Sequence, residues 1–227
     1  MCGAFFISSV MKDLIIPGNG LPIRTIYCIG RNYTEHAKEL NNPVPSSPLV
    51  FIKPQNAICF DEAEVVIPAQ SNDVHHEVEL VVAISKTGKN IDLENVTHHI
   101  SGIGVGIDFT ARDIQQKAKE AGHPWTVAKG FDNFAPISSF IPTDKIENLN
   151  NIKLQLSVNG TKRQFGNTSE MIFSISELIS YLSGIFTLVP GDLIFTGTPS
   201  GVSAVSHGDK LFAELGDNLA TLSVSIK

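Results

Sequence analysis

Apolar residues in this sequence come in short, β-branched runs that turn residues keep cutting off, and none of the runs is answered by a long helical pattern. Thr25–Ile29 stops at Gly30 and Leu49–Ile52 at Lys53-Pro54; Glu64–Ile67, Val78–Ile84, Leu154–Val158, Asp192–Thr196 and Ala220–Ile226 are similarly brief. Runs of this length and composition read as strands. Asn159-Gly160, between Leu156-Ser157-Val158 and Thr161-Lys162-Arg163, is the signal of a tight two-residue hairpin. Helical spacing covers Tyr33–Leu40, Ala111–Glu120 and Ser174–Ser183. In the last, Ile175, Leu178, Ile179 and Leu182 share a face, and Ser174 with Glu177 forms a capping-box pattern. A doubly wound parallel sheet needs strands alternating with long helices. That alternation is missing, so the expected class is α+β and β-rich. The 18 Gly and 12 Pro are scattered, with no repeat or linker, so the 227 residues read as one domain.

Composition removes several classes of function. Hydrophobic content of 42% and charged content of 18% exclude a disordered chain. A net charge of −6, with no basic run longer than Lys162-Arg163, argues against a nucleic-acid partner. No window approaches the ~20 apolar residues of a membrane helix. The apolar Cys2–Val10 has no cationic segment before it, which argues against a secretory signal. Cys2, Cys28 and Cys59 are odd in number and far apart, as suits a reducing compartment. A soluble, cytoplasmic protein is expected.

The chemistry gathers around carboxylates. In His75-His76-Glu77-Val78-Glu79-Leu80-Val81-Val82, strand alternation puts Glu77 and Glu79 on one face. A half-exposed strand with a polar outer face would look the same. The following run to Ile84, however, reads as buried on both faces, and carboxylates leading into it need a partner. Asp108 closes a third acidic position after the Gly-interrupted strand Ile103-Gly104-Val105-Gly106-Ile107. Three carboxylates without a thiolate suit Mg²⁺ or Mn²⁺ better than zinc. Gly102-Ile103-Gly104-Val105-Gly106 lacks the third glycine and the following acid of a dinucleotide loop. His36 and Glu39 are three apart on a short helix, where a carboxylate can hold an imidazole; an ordinary surface pair has the same spacing. Lys129 is a lone cation among small and apolar residues, either snorkelling to the surface or binding an anion. Thr196-Gly197-Thr198-Pro199-Ser200-Gly201 ends a strand in a turn able to hold a carboxylate, and it is not a P-loop. His98, His99 and His207 read as surface or turn residues.

In order along the chain stand Gly30-Arg31-Asn32-Tyr33 with His36 and Glu39, then His76-Glu77-Val78-Glu79-Leu80 and Gly106-Ile107-Asp108. Thr110-Ala111-Arg112-Asp113-Ile114-Gln115, Ala128-Lys129-Gly130-Phe131-Asp132, Asn167-Thr168-Ser169, Pro190-Gly191-Asp192 and Thr196-Gly197-Thr198-Pro199 follow. This ordered set resembles the fumarylacetoacetate hydrolase family, most closely its short acylpyruvase / oxaloacetate decarboxylase branch, from about Ile26 to the C-terminus. The resemblance implies a mixed-sheet β-roll, a single catalytic domain over 1–227 with a variable segment 1–24 packed on it, and a homodimer. It also implies one Mg²⁺ or Mn²⁺ held by Glu77, Glu79 and Asp108. By the same carry-over His36 and Glu39 form a lid-borne catalytic pair and Lys129 a catalytic cation, while Arg31, Arg112, Gln115 and Thr198 bind substrate. Two positions depart from the family pattern: Ser203 stands where Gly is common, and Gly130 where the mammalian branch has Ser.

The expected function is therefore that of a divalent-metal-dependent hydrolase. It would cleave a C–C bond in acylpyruvate-type 2,4-diketo acids, with His36, steered by Glu39, activating water. The alternative is oxaloacetate decarboxylation or tautomerisation, or a hydroxymuconate-type isomerisation or decarboxylation, on the same metal site. A non-catalytic binder of 2-oxo acids is the reading from another class.

Overall fold

In a computed structural model, which describes residues 14–39 and 44–227, the short runs become strands of three sheets. Numbered in chain order, the largest holds β2 (Leu49–Lys53), β1 (Ile26–Gly30), β13 (Leu193–Phe195), β6 (Val78–Ile84), β7 (Ile100–Ile107), β9 (Ala135–Ile137) and β3 (Ile58–Phe60) side by side, with β10 (Ile141–Pro142) also paired to β7. β1–β13 and β3–β9 are parallel and the remaining pairs antiparallel, so the sheet is mixed. A second sheet runs β12 (Thr161–Asn167), β11 (Lys153–Val158), β15 (Lys210–Leu215), β16 (Ala220–Ile226), β4 (Ala63–Val65). The third is small: β14 (Ser203–Ala204), β5 (Val74–His76) and β8 (Thr110–Ala111). The α-helices of the described residues are α1 (Thr34–Glu39), α2 (Arg112–Ala121), α3 (Thr126–Lys129) and α4 (Ile175–Ile185). The β-rich α+β class expected from the sequence is the one observed.

Burial explains why the runs differ in pattern. Strand β6 is buried at every position. Leu80 and Val82 face one core, shared with Leu154 and Leu156 of β11, Leu211 and Ala213 of β15, and Leu178 and Leu182 of α4. Val81 and Ala83 face another, with Cys28, Phe195, Ile16 and Ile23. A strand between two cores has no wet face, hence its unbroken apolar run; each fully buried Val or Leu contributes roughly 1.5–3 kcal/mol. Strands β11, β15 and β16 bury alternate residues and show the period of two. The Asn159-Gly160 turn takes φ of 52° and 77°, the doubly positive pair of a two-residue hairpin turn. Alternate glycines of β7 make room for aromatic rings: a Cβ on Gly104 would lie 2.9 Å from the Phe140 ring, and one on Gly106 2.7 Å from that of Phe195.

Several boundaries move for physical reasons. Tyr33 leaves the first helix to bridge Met171, and Leu40 at its other end, like Cys2–Val10, lies outside the described residues. Helix α2 starts at Arg112 because Thr110 and Ala111 pair with β5. Asp192 caps its strand from outside, accepting from Thr25 N at 3.0 Å and Val189 N at 2.8 Å. His99, read as a surface residue, is buried, with Nδ1 3.0 Å from the Lys86 carbonyl; His98 and His207 are exposed. No helix of the described residues is long and apolar enough to cross a membrane.

Candidate active site

The acidic cluster is a product of strand register. Antiparallel pairing sets Val78 opposite Ile107 and Glu79 opposite Gly106, and Asp108 N donates to the Glu77 carbonyl at 2.8 Å. Glu77 therefore faces Asp108 across the pair, and the pleat brings Glu79 to the same side. One oxygen from each of the three carboxylates lies within 4.8 Å of the others, and all three residues are buried. Glu79, 1% exposed, accepts a hydrogen bond from Gly197 N at 2.7 Å. That backbone approach needs a glycine, since Gly197 has φ 100° and a Cβ there would stand 2.6 Å from Asn32 Cβ.

Cations surround the cluster unevenly. Lys129 Nζ lies 2.8 Å from Glu77 Oε2 and 2.5 Å from Asp108 Oδ2, with the Phe51 ring beneath it at 5.0 Å. Burial alone would push its ammonium down in pKa, but Asp108 and Glu77 hold it above its ordinary value. Arg112 Nη2 pairs with Glu77 Oε1 and Nη1 with Gln115 Oε1 at 2.7 Å, while its buried Nε has no partner. Against the cost of burial, Lys129, Arg112 and His36 keep Glu77 well below the usual carboxylate range. Glu79 goes the other way: burial first, then Asp108 and Glu77, push it well above. Among the described residues it has no cationic partner within ion-pair distance.

The other expected site residues converge on the same place. Arg31, His36, Arg112, Gln115, Lys129 and Thr198 line one cavity with the three carboxylates, around a free space of about 20 Å³, the size of a water or an ion. Glu39 stands outside this lining, behind His36, its Oε2 3.4 Å from His36 Nδ1. A carboxylate there favours the proton on Nδ1 and leaves Nε2 with a lone pair. Burial lowers the imidazole pKa despite Glu77 and Glu39, so it is neutral at pH 7.

Three participants carried no signal that the reading of the sequence used. Lys53, 1% exposed, ends β2 beneath the cluster, its Nζ 2.7 Å from Asp108 Oδ1 and donating to the carbonyls of Phe109, Lys129 and Phe134. Gln164 of β12 accepts from Val78 N at 3.0 Å and from His76 Nδ1 at 2.8 Å, and donates to Thr198 Oγ1 at 2.8 Å. Lys119 lines the cavity from α2. The only hint was periodicity, since Arg112, Gln115 and Lys119 fall on one helical face.

A family model described as fumarylacetoacetate (FAA) hydrolase C-terminal matches residues 25–227. The chain belongs to this family. Among relatives, a mitochondrial oxaloacetate decarboxylase of Dictyostelium discoideum is 50% identical over 186 residues, 82% of this chain and 85% of that one. Oxaloacetate tautomerase YcgM of Escherichia coli is 46% identical over 191 residues, covering 84% and 87%. The crystal structure of fumarylpyruvate hydrolase from Pseudomonas aeruginosa, in complex with Mn²⁺ and pyruvate, superposes with a TM-score of 0.90 at 38% identity, covering 99% of both chains. The chain is an enzyme of the fumarylacetoacetate hydrolase family, and the reading as a non-catalytic binder is set aside.

Its two departures from the family pattern have local explanations. Ser203 Oγ lies 2.8 Å from His76 Nε2, so it fixes the histidine that braces Gln164 and, through it, Thr198. At Gly130 a Cβ would meet the Thr126 carbonyl oxygen at 2.6 Å and Pro54 Cδ at 3.0 Å, so this backbone has no room for Ser. The cluster fits a hard divalent cation. Its donors are all carboxylate oxygens, and Glu79, buried between two like charges with a single N–H for company, lacks the counter-charge that burial demands.

Proposed function

We propose that this enzyme acts on oxaloacetate, interconverting its keto and enol forms or decarboxylating it, with Mg²⁺ or Mn²⁺ held by Glu77, Glu79 and Asp108. The observation that carries the reading is the buried carboxylate triad sharing one cavity with Lys129, Arg112 and a neutral His36. The two relatives named for oxaloacetate chemistry favour it over the acylpyruvate hydrolysis expected from sequence. When bound, such an ion supplies Lewis-acid stabilisation of an enolate oxygen, worth several kcal/mol. Arg112, with its unpartnered Nε, and Gln115 orient the substrate carboxylate. His36 Nε2 takes the proton from C3 as the electron pair moves toward the C2 oxygen. A base of this kind contributes about 10²–10⁴-fold. Lys129 stays an ammonium and donates a hydrogen bond to the oxygen where charge grows.

The second reading is acylpyruvate hydrolysis, which the 3.4 Å His36–Glu39 pair and the likeness to fumarylpyruvate hydrolase support. There His36 deprotonates water rather than carbon. A reducing compartment suits the buried, unpaired Cys28 and Cys59. The homodimer and the single catalytic unit over 1–227 belong to the same proposal. To test it, enol-oxaloacetate absorbance, oxaloacetate consumption and pyruvate release from acetylpyruvate are followed in EDTA and after adding Mg²⁺ or Mn²⁺. Oxaloacetate turnover that vanishes in EDTA and returns with either ion is expected; turnover undiminished by chelation refutes the assignment.

A further inference from the structure

Gln164 of β12 is completely buried, yet nothing in the reaction just described employs it. It reaches out of the second sheet to both halves of the site, and main-chain partners fix which way its amide points. Val78 N, in the strand between Glu77 and Glu79, can only donate, so the atom 3.0 Å from it is Oε1. The Pro199 carbonyl can only accept, so the atom 3.0 Å from it is Nε2. Turning the amide over would set N–H against N–H and oxygen against oxygen, leaving buried groups unsatisfied on both sides.

That orientation dictates where the surrounding hydrogens lie. Oε1 only accepts, so His76, also fully buried, carries a hydrogen on Nδ1, 2.8 Å away. Burial lowers the pKa of this ring, which leaves Nε2 a lone pair for the Ser203 hydroxyl at 2.8 Å. On the other side Nε2 of Gln164 gives its second hydrogen to Thr198 Oγ1 at 2.8 Å. Thr198 therefore accepts from within the protein and keeps its own hydroxyl hydrogen. Among the described residues no protein atom takes that hydrogen, and Thr198 lines the cavity with Glu77, Glu79, Asp108 and Lys129. The donors thus run one way, from Ser203 through His76 and Gln164 to Thr198.

We propose that Gln164 is a positioning residue: it holds the Thr198 hydroxyl as a donor toward the carboxylate of the bound acid and ties that donor to the strand bearing Glu77 and Glu79. The inference rests on the proposed function for the place of the acid in the cavity. It is tested by calorimetric titration of the Mg²⁺-loaded protein with pyruvate. Without the amide, the Thr198 hydroxyl is released to donate to the vacated Pro199 carbonyl. Losing one charge-assisted donor predicts that Gln164→Met and Thr198→Val each weaken pyruvate about tenfold or more. Because both remove the same donor, the double variant should bind within about twofold of Thr198→Val alone. Losses that multiply, as a general loosening of the site would give, overturn the proposal, and so does a wild type that binds no pyruvate. The unaltered protein supplies a second readout that needs no folded variant at position 164. Nitrogen-15 NMR of its histidine rings, with the His76 signals identified by their absence from His76→Gln, should show hydrogen on Nδ1; hydrogen on Nε2 alone overturns the proposed direction. Turnover is followed separately: intact pyruvate coupling without oxaloacetate turnover refutes the catalytic proposal and supports the role of Gln164.

Discussion

Replacing Lys53 with Met removes one buried charge and leaves its partners in place, so the cost can be worked from the geometry. The ammonium sits 2.7 Å from Asp108 Oδ1 and donates to the carbonyls of Phe109 at 3.1 Å, Phe134 at 2.9 Å and Lys129. After substitution Phe134 O still accepts from Phe109 N at 3.0 Å, and Asp108 keeps Lys129 at 2.5 Å. The Phe109 and Lys129 carbonyls lose the donor found for them. Each buried group left unsatisfied costs about 1–3 kcal/mol. Desolvating an ammonium is itself unfavourable, and exchanging a whole buried pair for apolar groups is often neutral. Here only one partner goes, and breaking a buried pair in that way costs about 3–5 kcal/mol. Met fills the volume of the lysine stem, so no cavity is added. Urea unfolding in EDTA, which removes any change in metal affinity from the measurement, should show that loss with an unchanged m-value. The melting temperature should fall by about 6–20 °C for a chain of this size. A loss below about 1 kcal/mol would refute the premise that Lys53 works desolvated, because a hydrated lysine at the surface gives a cost of that order.

Three further outcomes follow from the same contacts. Glu79 has its folded pKa raised by burial and by Asp108 and Glu77, so the metal-free protein should lose stability as pH rises from the ordinary Glu value toward the folded one. Glu79→Gln should flatten that slope, raise the melting temperature in EDTA at pH 7 and abolish stabilisation by Mg²⁺; a variant that melts lower in EDTA contradicts the repulsion argument. Gly130→Ser places a Cβ 2.6 Å from Thr126 O, and overpacking should cost about 1–3 kcal/mol in urea unfolding; a neutral result would show that α3 yields easily. Burial pushes the Cys59 thiol up to about 12 and the Cys28 thiol well above its ordinary value. In a Cys2→Ser background, Ellman's reagent should therefore find no fast-reacting thiol in the native protein and two after denaturation.

What the sequence disclosed depended on whether a residue's partners were near it in the chain. Glu77 and Glu79 were legible because a period of two is local, and Asp108 because a Gly-interrupted apolar strand ends on it. The α4 cap could be read for the same reason, and Ser174 Oγ does accept from Glu177 N while Glu177 Oε2 accepts from Ser174 N. Lys53 was not legible: it ends an ordinary strand, and its four partners come from residues 108, 109, 129 and 134, which no local pattern links to it. Gln164 was hidden likewise, in a strand whose neighbours are exposed. The short β9 and α3 lack the length for any periodic signal to build up, yet α3 is what delivers Lys129. Strand β15, by contrast, buries Leu211, Ala213 and Leu215 with a period as clear as that of β11.

The division between the strand-borne and the helix-borne parts of the site bears on which of the proposed reactions is run. The carboxylates and Lys129 are fixed by β6, β7, Lys53 and one another, and charge stabilisation at an enolate oxygen needs only these. His36 and Glu39 are carried by α1, a helix of six residues, and Glu39 is tied back by Gly201 N at 3.1 Å. In the function proposed above, proton transfer at carbon and activation of water both call on this imidazole, and they differ in whether water is admitted beside it. Removing the base by His36→Ala should therefore halt both tautomerisation and hydrolysis. Loss of carbon dioxide from oxaloacetate, which breaks a C–C bond and needs no base at C3, should survive in the same variant. Equal loss of decarboxylation would mean that His36 acts in binding or closure rather than in proton transfer, and the assignment of the base would have to move elsewhere in the cavity.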